Sequence, residues 1–158
     1  MANALFGPGA QRYVDSRTGF EDRDARIIIP VSIEQEPVDA TLQMALDTGA
    51  TWCVLPWEIA EAVGIPVGQG TAAPLETRFG RLEGEWHRHT LVLRGDPDLC
   101  EDDFELRVDA TIWISKRWPE NLGYDGIIGY NGCLERIRFA VDPSETLFYF
   151  GSTEVDGE

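Results

Sequence analysis

The chain has 158 residues, 43% of them apolar, and a formal net charge of −15 at pH 7. That length suits one domain with a sizeable core, and the apolar share excludes wholesale disorder. So acidic a chain is a poor partner for nucleic acid or an anionic membrane, because phosphate binding depends on clustered Lys and Arg.

Cys53, Cys100 and Cys133 form an odd set without CxxC spacing, which points to reduced thiols and not to a disulfide frame. No segment approaches the roughly 20 apolar residues that cross a bilayer. The start lacks the basic region and apolar stretch of a secretory leader, so a cytoplasmic protein is the expectation.

Residues 1–25 mix Gly, Pro and charges without a period and read as a flexible or loosely docked arm. Arg26–Ile33 is the first strand, β-branched and apolar. Pro30 cannot donate to a ladder, so the strand lies at an edge or carries a bulge there. Glu34–Pro37 turns the chain, and Val38–Leu46 alternates as the partner strand. Asp47 stands at its end. The stretch from Met44 to Leu55 carries this carboxylate out of one apolar run, through a Thr48-Gly49 turn, and into another. A carboxylate buried among apolar neighbours costs several kcal/mol unless paired or hydrogen-bonded, so Asp47 reads as a functional group.

Trp52–Leu55 is a short strand, and Pro56–Gly64 a short helix opened by Pro and stopped by Gly. Gly68 and Gly70 lack the Lys-Ser/Thr pair and following helix of a phosphate loop and read as a turn. Leu75–Leu93 is two strands joined near Phe79-Gly80-Arg81, with Gly where positive φ is needed. On the returning strand His87, His89, Leu91 and Leu93 share one face. His-x-His is a metal-ligating pattern, but any further ligand would have to be Cys or carboxylate; packed or solvated histidines are the better reading.

Gly95–Glu105 is an acidic loop without the central Gly and terminal Glu of a calcium site. Leu106–Ile114 is a strand, and Trp118-Pro119-Glu120-Asn121 a loop. In Asp125-Gly126-Ile127-Ile128-Gly129 an apolar pair is bracketed by glycines, ahead of a short helix at 132–136. Residues 137–141 and 147–150 form a terminal hairpin across Asp142-Pro143-Ser144-Glu145. The tail, 152–158, is acidic.

The order of these motifs resembles the retropepsin-like aspartic proteases, the retroviral-type family with bacterial relatives: an apolar strand, Asp-Thr-Gly-Ala, a second strand, a helix, a Gly-tipped hairpin, then Ile-Ile-Gly before a short helix. The resemblance spans about 26–151 and implies a mostly-β fold, a small closed barrel or sandwich with a flap hairpin and short helices at 57–63 and 132–136. It implies that Asp47 is the catalytic aspartate, supported by Thr48, Gly49 and Ala50. Phe79, Gly80 and Arg81 match the substrate-covering flap, and Ile127, Ile128 and Gly129 the segment packed beneath the site. Viral members have an acidic residue after Asp-Thr-Gly-Ala and an Arg after the later glycine, forming an ion pair; this chain has Thr51 and Tyr130.

The chemistry needs two carboxylates. A pair about 3 Å apart cannot both ionise and shares one proton, so one takes a proton from water while the other donates to the scissile carbonyl. One Asp-Thr-Gly per chain implies a two-fold homodimer acting on protein or peptide, without metal or organic cofactor. The other reading is a non-catalytic dimerising or peptide-binding module on the same fold. A weaker third is a metal-binding acidic loop over Asp96–Asp103.

Overall fold

The structure, a computed structural model, describes residues 7–15, 27–34, 40–101, 103–118 and 123–154. The turn expected at 34–37 beyond Glu34, the start of the partner strand at Val38, Asp102 of the acidic loop, and Pro119-Glu120-Asn121 lie outside them.

Thirteen strands are described: β1 Gly9–Arg12, β2 Val14–Asp15, β3 Ile27–Ile33, β4 Thr41–Leu46, β5 Cys53–Pro56, β6 Thr71–Ala72, β7 Leu75–Thr77, β8 Gly80–Leu82, β9 Gly84–Arg94, β10 Glu105–Ser115, β11 Gly126–Ile128, β12 Ile137–Asp142 and β13 Leu147–Ser152. One helix, α1, covers Trp57–Ala62, and a 3₁₀ turn covers Leu134–Arg136. Pro56 caps α1 with extended backbone, and Gly64 follows it at φ +88°.

The main sheet runs β2-β3-β4-β11-β5-β10-β9-β6, and β3 also pairs with β9. That last pairing, Ser32 opposite Val92 and Ile33 opposite Leu91, closes six strands into a barrel. Pro30 lies between the part of β3 paired with β2 and the part paired with β9, so no ladder on that side needs its missing N–H.

Alternation explains both faces of the barrel wall. Cys53 and Leu55, Ile112 and Ile114, and Ile128 point into the main core. Their neighbours Val54, Trp113 and Ile127 point the other way and form a second apolar cluster with Leu75, Trp86 and Trp118 around them. Three adjacent strands therefore feed a core with one residue and a cleft with the next.

Within the stretch expected as an N-terminal arm, Gly9–Arg12 and Val14–Asp15 are strands. Gly9–Arg12 pairs antiparallel with Leu147–Phe150, and Val14–Asp15 pairs with Ile27–Ile28. The physical reason is an apolar partner already in place: Phe148 and Phe150 are fully buried, and β1 completes a three-stranded sheet β1-β13-β12 over them. The returning half of the predicted hairpin also differs. It breaks at Glu83 into β8 and β9, with Glu83 accepting from the Lys116 N–H (2.9 Å).

Candidate active site

Asp47 leaves β4 at the barrel rim, its N–H donating to the Ile128 carbonyl (3.0 Å). Its carboxylate is half-buried, not enclosed as the apolar flanks predict. Oδ1 accepts from the Gly49 N–H at 2.9 Å and from the Ala50 N–H at 3.2 Å. This is a local Asx-type turn, and it fixes the direction of the carboxylate without an ion pair. Thr48 and Gly49 are exposed at its tip.

Ile127 and Ile128 separate as alternation requires: Ile128 lies in the main core, Ile127 on the cleft. At Gly129 a Cβ would collide with the Trp52 backbone, so only glycine lets the two loops approach so closely. Where viral members have their ion pair, backbone bonds join the same segments. The Tyr130 N–H donates to the Ala50 carbonyl (2.9 Å) and the Asn131 N–H to the Thr51 carbonyl (2.8 Å).

Above the turn stands the hairpin β7–β8. Thr77 Oγ1 accepts from the Phe79 N–H (3.1 Å) and donates to the Gly80 carbonyl (2.9 Å), while Gly80 takes φ +93°. Phe79 meets Trp118 edge to face, ring centroids 5.5 Å apart, and the Arg78 guanidinium lies 4.8 Å from the Phe79 ring. The hairpin tip is thereby folded onto the loop that follows β10.

Between hairpin and turn is a cleft of about 360 Å³, bounded by Asp47, Gly49, Ala50 and Thr51 on one side and by residues 75–79 on the other. Trp52, Val54, Trp113, Trp118 and Ile127 supply its apolar wall. Of the residues expected at the site, Asp47, Gly49, Ala50, Phe79 and Ile127 line this cleft; Thr48, Gly80, Arg81, Ile128 and Gly129 do not. Arg81 instead faces Glu76 across the hairpin at 3.8 Å. Sequence reading missed Leu75, Arg78, Trp113 and Trp118 as wall residues. A signal was present: four of the chain's five tryptophans (Trp52, Trp86, Trp113, Trp118) gather here.

Away from the cleft, Glu85 is a buried carboxylate. Its Oε1 accepts from the Gly68 N–H (2.6 Å) and lies 2.6 Å from His87 Nε2. Burial pushes Glu85 up, but the hydrogen bonds from His87 and Gly68 and the charge of His87 outweigh it and leave the carboxyl below its ordinary value. His89 stacks on His87 at 5.7 Å, and burial, then the charge of His87, hold it below the usual histidine value. The histidines are thus packed beside a carboxylate. Among the described residues no group of three His, Cys, Asp or Glu is placed to hold a metal. In the acidic loop Asp96 is engaged by Arg12 (2.6 Å) and by the Asp98 N–H (2.9 Å). No helix among the described residues is long and apolar enough to cross a membrane.

Neither a family model nor a curated protein matches the sequence. Solved structures do. A retropepsin-like aspartic protease from Rickettsia conorii is 17% identical, with a TM-score of 0.53 over 89% of this chain and 97% of that one. The EIAV protease in an inhibitor complex is 16% identical, with a TM-score of 0.46 over 73% of this chain and 88% of that one. The retroviral protease-like domain of Ddi1 from Leishmania major is 14% identical, with a TM-score of 0.47 over 84% of this chain and 98% of that one. At 17% identity the likeness to the Rickettsia protein is one of fold. With six strands closed into a barrel and the β7–β8 hairpin beside the Asp47-Thr48-Gly49 turn, this chain has the fold of the retropepsin-like aspartic proteases.

Proposed function

We propose that the protein is a cytoplasmic aspartic endopeptidase that works as a homodimer. One Asp47 from each chain forms a dyad that activates water against a peptide bond. The observation that carries this reading is the placement of Asp47: oriented by two backbone N–H groups at the mouth of an apolar cleft, beneath a hairpin. Thr48 and Gly49 are exposed in the single chain, which suits a turn that meets its own mate on a two-fold axis.

In the dyad the two carboxylates share a proton. The ionised one accepts a proton from water as it attacks, and the neutral one donates to the carbonyl oxygen. The apolar wall excludes water around the pair and strengthens both interactions. It also favours substrates with large apolar side chains beside the scissile bond.

The test is incubation of wild type and Asp47→Asn with an unfolded protein mixture between pH 4 and 8. Cleavage by wild type alone is expected. Cleavage that persists in Asp47→Asn overturns the mechanism. A folded wild-type dimer that cuts nothing at any pH leaves the peptide-binding module in its place.

A further inference from the structure

The cleft is apolar in its wall and charged at its rim. On the hairpin side two charged side chains border it, Glu76 and Arg78. Glu76 is matched, because Arg81 faces it across the hairpin at 3.8 Å. Arg78 has no such partner: among the described residues its guanidinium is engaged by the Phe79 ring alone, 4.8 Å from the centroid. Phe79 is in turn held edge to face by Trp118 at 5.5 Å. This aromatic chain sets where the cation stands, on the hairpin side of the cleft and across it from Asp47. A guanidinium can rest one face on a ring while its N–H fork, which lies in its own plane, stays open to a carboxylate.

We propose that Arg78 determines the substrate class of this cleft: peptides carrying a carboxylate within two residues of the apolar side chain seated on the wall. The inference rests on the reading of the cleft as a peptide site. The spacing follows from the geometry of an extended peptide. Its residues rise about 3.3 Å each and alternate in direction, so a side chain one or two places from the apolar anchor lies within roughly 7 Å of it along the strand. Arg78 and the wall border the same cleft of about 360 Å³, which matches that separation.

Net charge acts in the opposite sense. A chain at −15 attracts basic peptides and repels acidic ones, whatever their sequence. A preference for Glu at one position therefore reports a local cation and not the field of the whole molecule.

The experiment is peptide binding to full-length Asp47→Asn, followed by fluorescence anisotropy, so the readout does not depend on cleavage. The probes are short peptides, neutral except at one position, with a central Leu-Phe pair. Each position within two residues of that pair carries Glu, Gln or Lys in turn. At one of them Glu is expected to bind about three- to tenfold more tightly than Gln, and Lys more weakly than either. Arg78→Gln should abolish the preference, and Arg78→Glu should reverse it so that Lys binds best there. Arg138→Gln removes the same unit of charge from β12, away from the cleft, and should leave the order unchanged. The proposal is overturned by Glu no better than Gln at every position, by a Glu preference that survives in Arg78→Glu, by Lys preferred throughout, or by no binding at all. Arg78 is exposed on a hairpin, so its variants are expected to keep the parent melting temperature.

The same series with wild type, read as cleavage, should show the preference in KM with little change in kcat. Peptides that bind with the Glu preference but are never cut would remove the peptidase reading and leave the role of Arg78 standing. Peptides that are cut without any charge preference would do the reverse.

Discussion

Asp47 uses one oxygen for structure: both backbone N–H bonds fall on Oδ1, so Oδ2 is the oxygen the turn does not use. An asparagine oxygen can accept the same two bonds. Asp47→Asn is therefore expected to keep the wild-type melting temperature while losing activity. Asp47→Ala leaves the exposed Gly49 N–H without its protein acceptor, while the Ala50 N–H keeps the Asp47 backbone carbonyl (3.1 Å), so the cost is expected to stay within about 1 kcal/mol by denaturant titration. Gly129→Ala forces apart the two loops behind the turn and is expected to cost about 1–3 kcal/mol.

Glu85 and His89 are two buried or part-buried groups that make the fold less stable in acid, and the Arg94-bonded Glu105 and Ser144-bonded Asp142, also held low, act in the same direction. Glu85 is held below its ordinary 4.5, so the unfolded chain takes up this proton first as the pH falls. Its contribution is present above 4.5 and lost on descent to the folded value. His89 is held below its ordinary 6.5, and its contribution is likewise complete above 6.5 and lost on descent through its lowered value. Both act in one direction. Thermal unfolding followed from pH 7 to pH 3 should show stability falling with acidification, and Glu85→Gln should flatten the part of that fall below 4.5.

Among the elements, β10 does the most to shape the site. Trp113 is fully buried beneath the cleft, and its Nε1–H donates to the Ala73 carbonyl (2.9 Å) just before the hairpin. Trp113→Phe removes that bond and about 1 kcal/mol, and it frees the root of the β7–β8 hairpin. The expected kinetic consequence is a raised KM with a smaller change in kcat. Equal loss in kcat and kcat/KM would instead place Trp113 in the chemistry.

Strands β3, β4, β9 and β10 were legible because their β-branched and alternating residues state both the strand and its inward face. Strands β1 and β2 were not, since Gly-Ala-Gln-Arg carries no strand pattern and becomes a strand only against buried Phe148 and Phe150. The site divides the same way. Asp47, its turn, the hairpin and Ile127 lie within short motifs. Trp113 lies in β10 and Trp118 in the loop after it, and closure of the barrel brings them to the cleft. The sequence shows alternation within a strand, while which strands become neighbours depends on packing across the whole chain.

For the whole molecule, charge decides the conditions of assembly. Two chains at −15 each repel at neutral pH, and salt screens the repulsion beyond about 8 Å at physiological strength. Protonation of surface carboxylates lowers it further. Dimerisation and activity are expected to strengthen as pH falls towards 5, or as salt rises at pH 7, until the loss of Glu85 and His89 stabilisation takes over. Sedimentation velocity across that range measures this, and a monomer at every pH and salt contradicts it.

Whether two Asp47 carboxylates build one site is tested most directly by subunit mixing. Wild type and Asp47→Asn are combined in varying proportions at constant total protein, allowed to exchange, and assayed for peptide cleavage. If each site needs an Asp47 from both chains, activity follows the square of the wild-type fraction, and an equal mixture retains about a quarter of the wild-type rate. Activity that falls in simple proportion to the wild-type fraction, to about half in an equal mixture, means that each chain acts alone and contradicts the shared dyad.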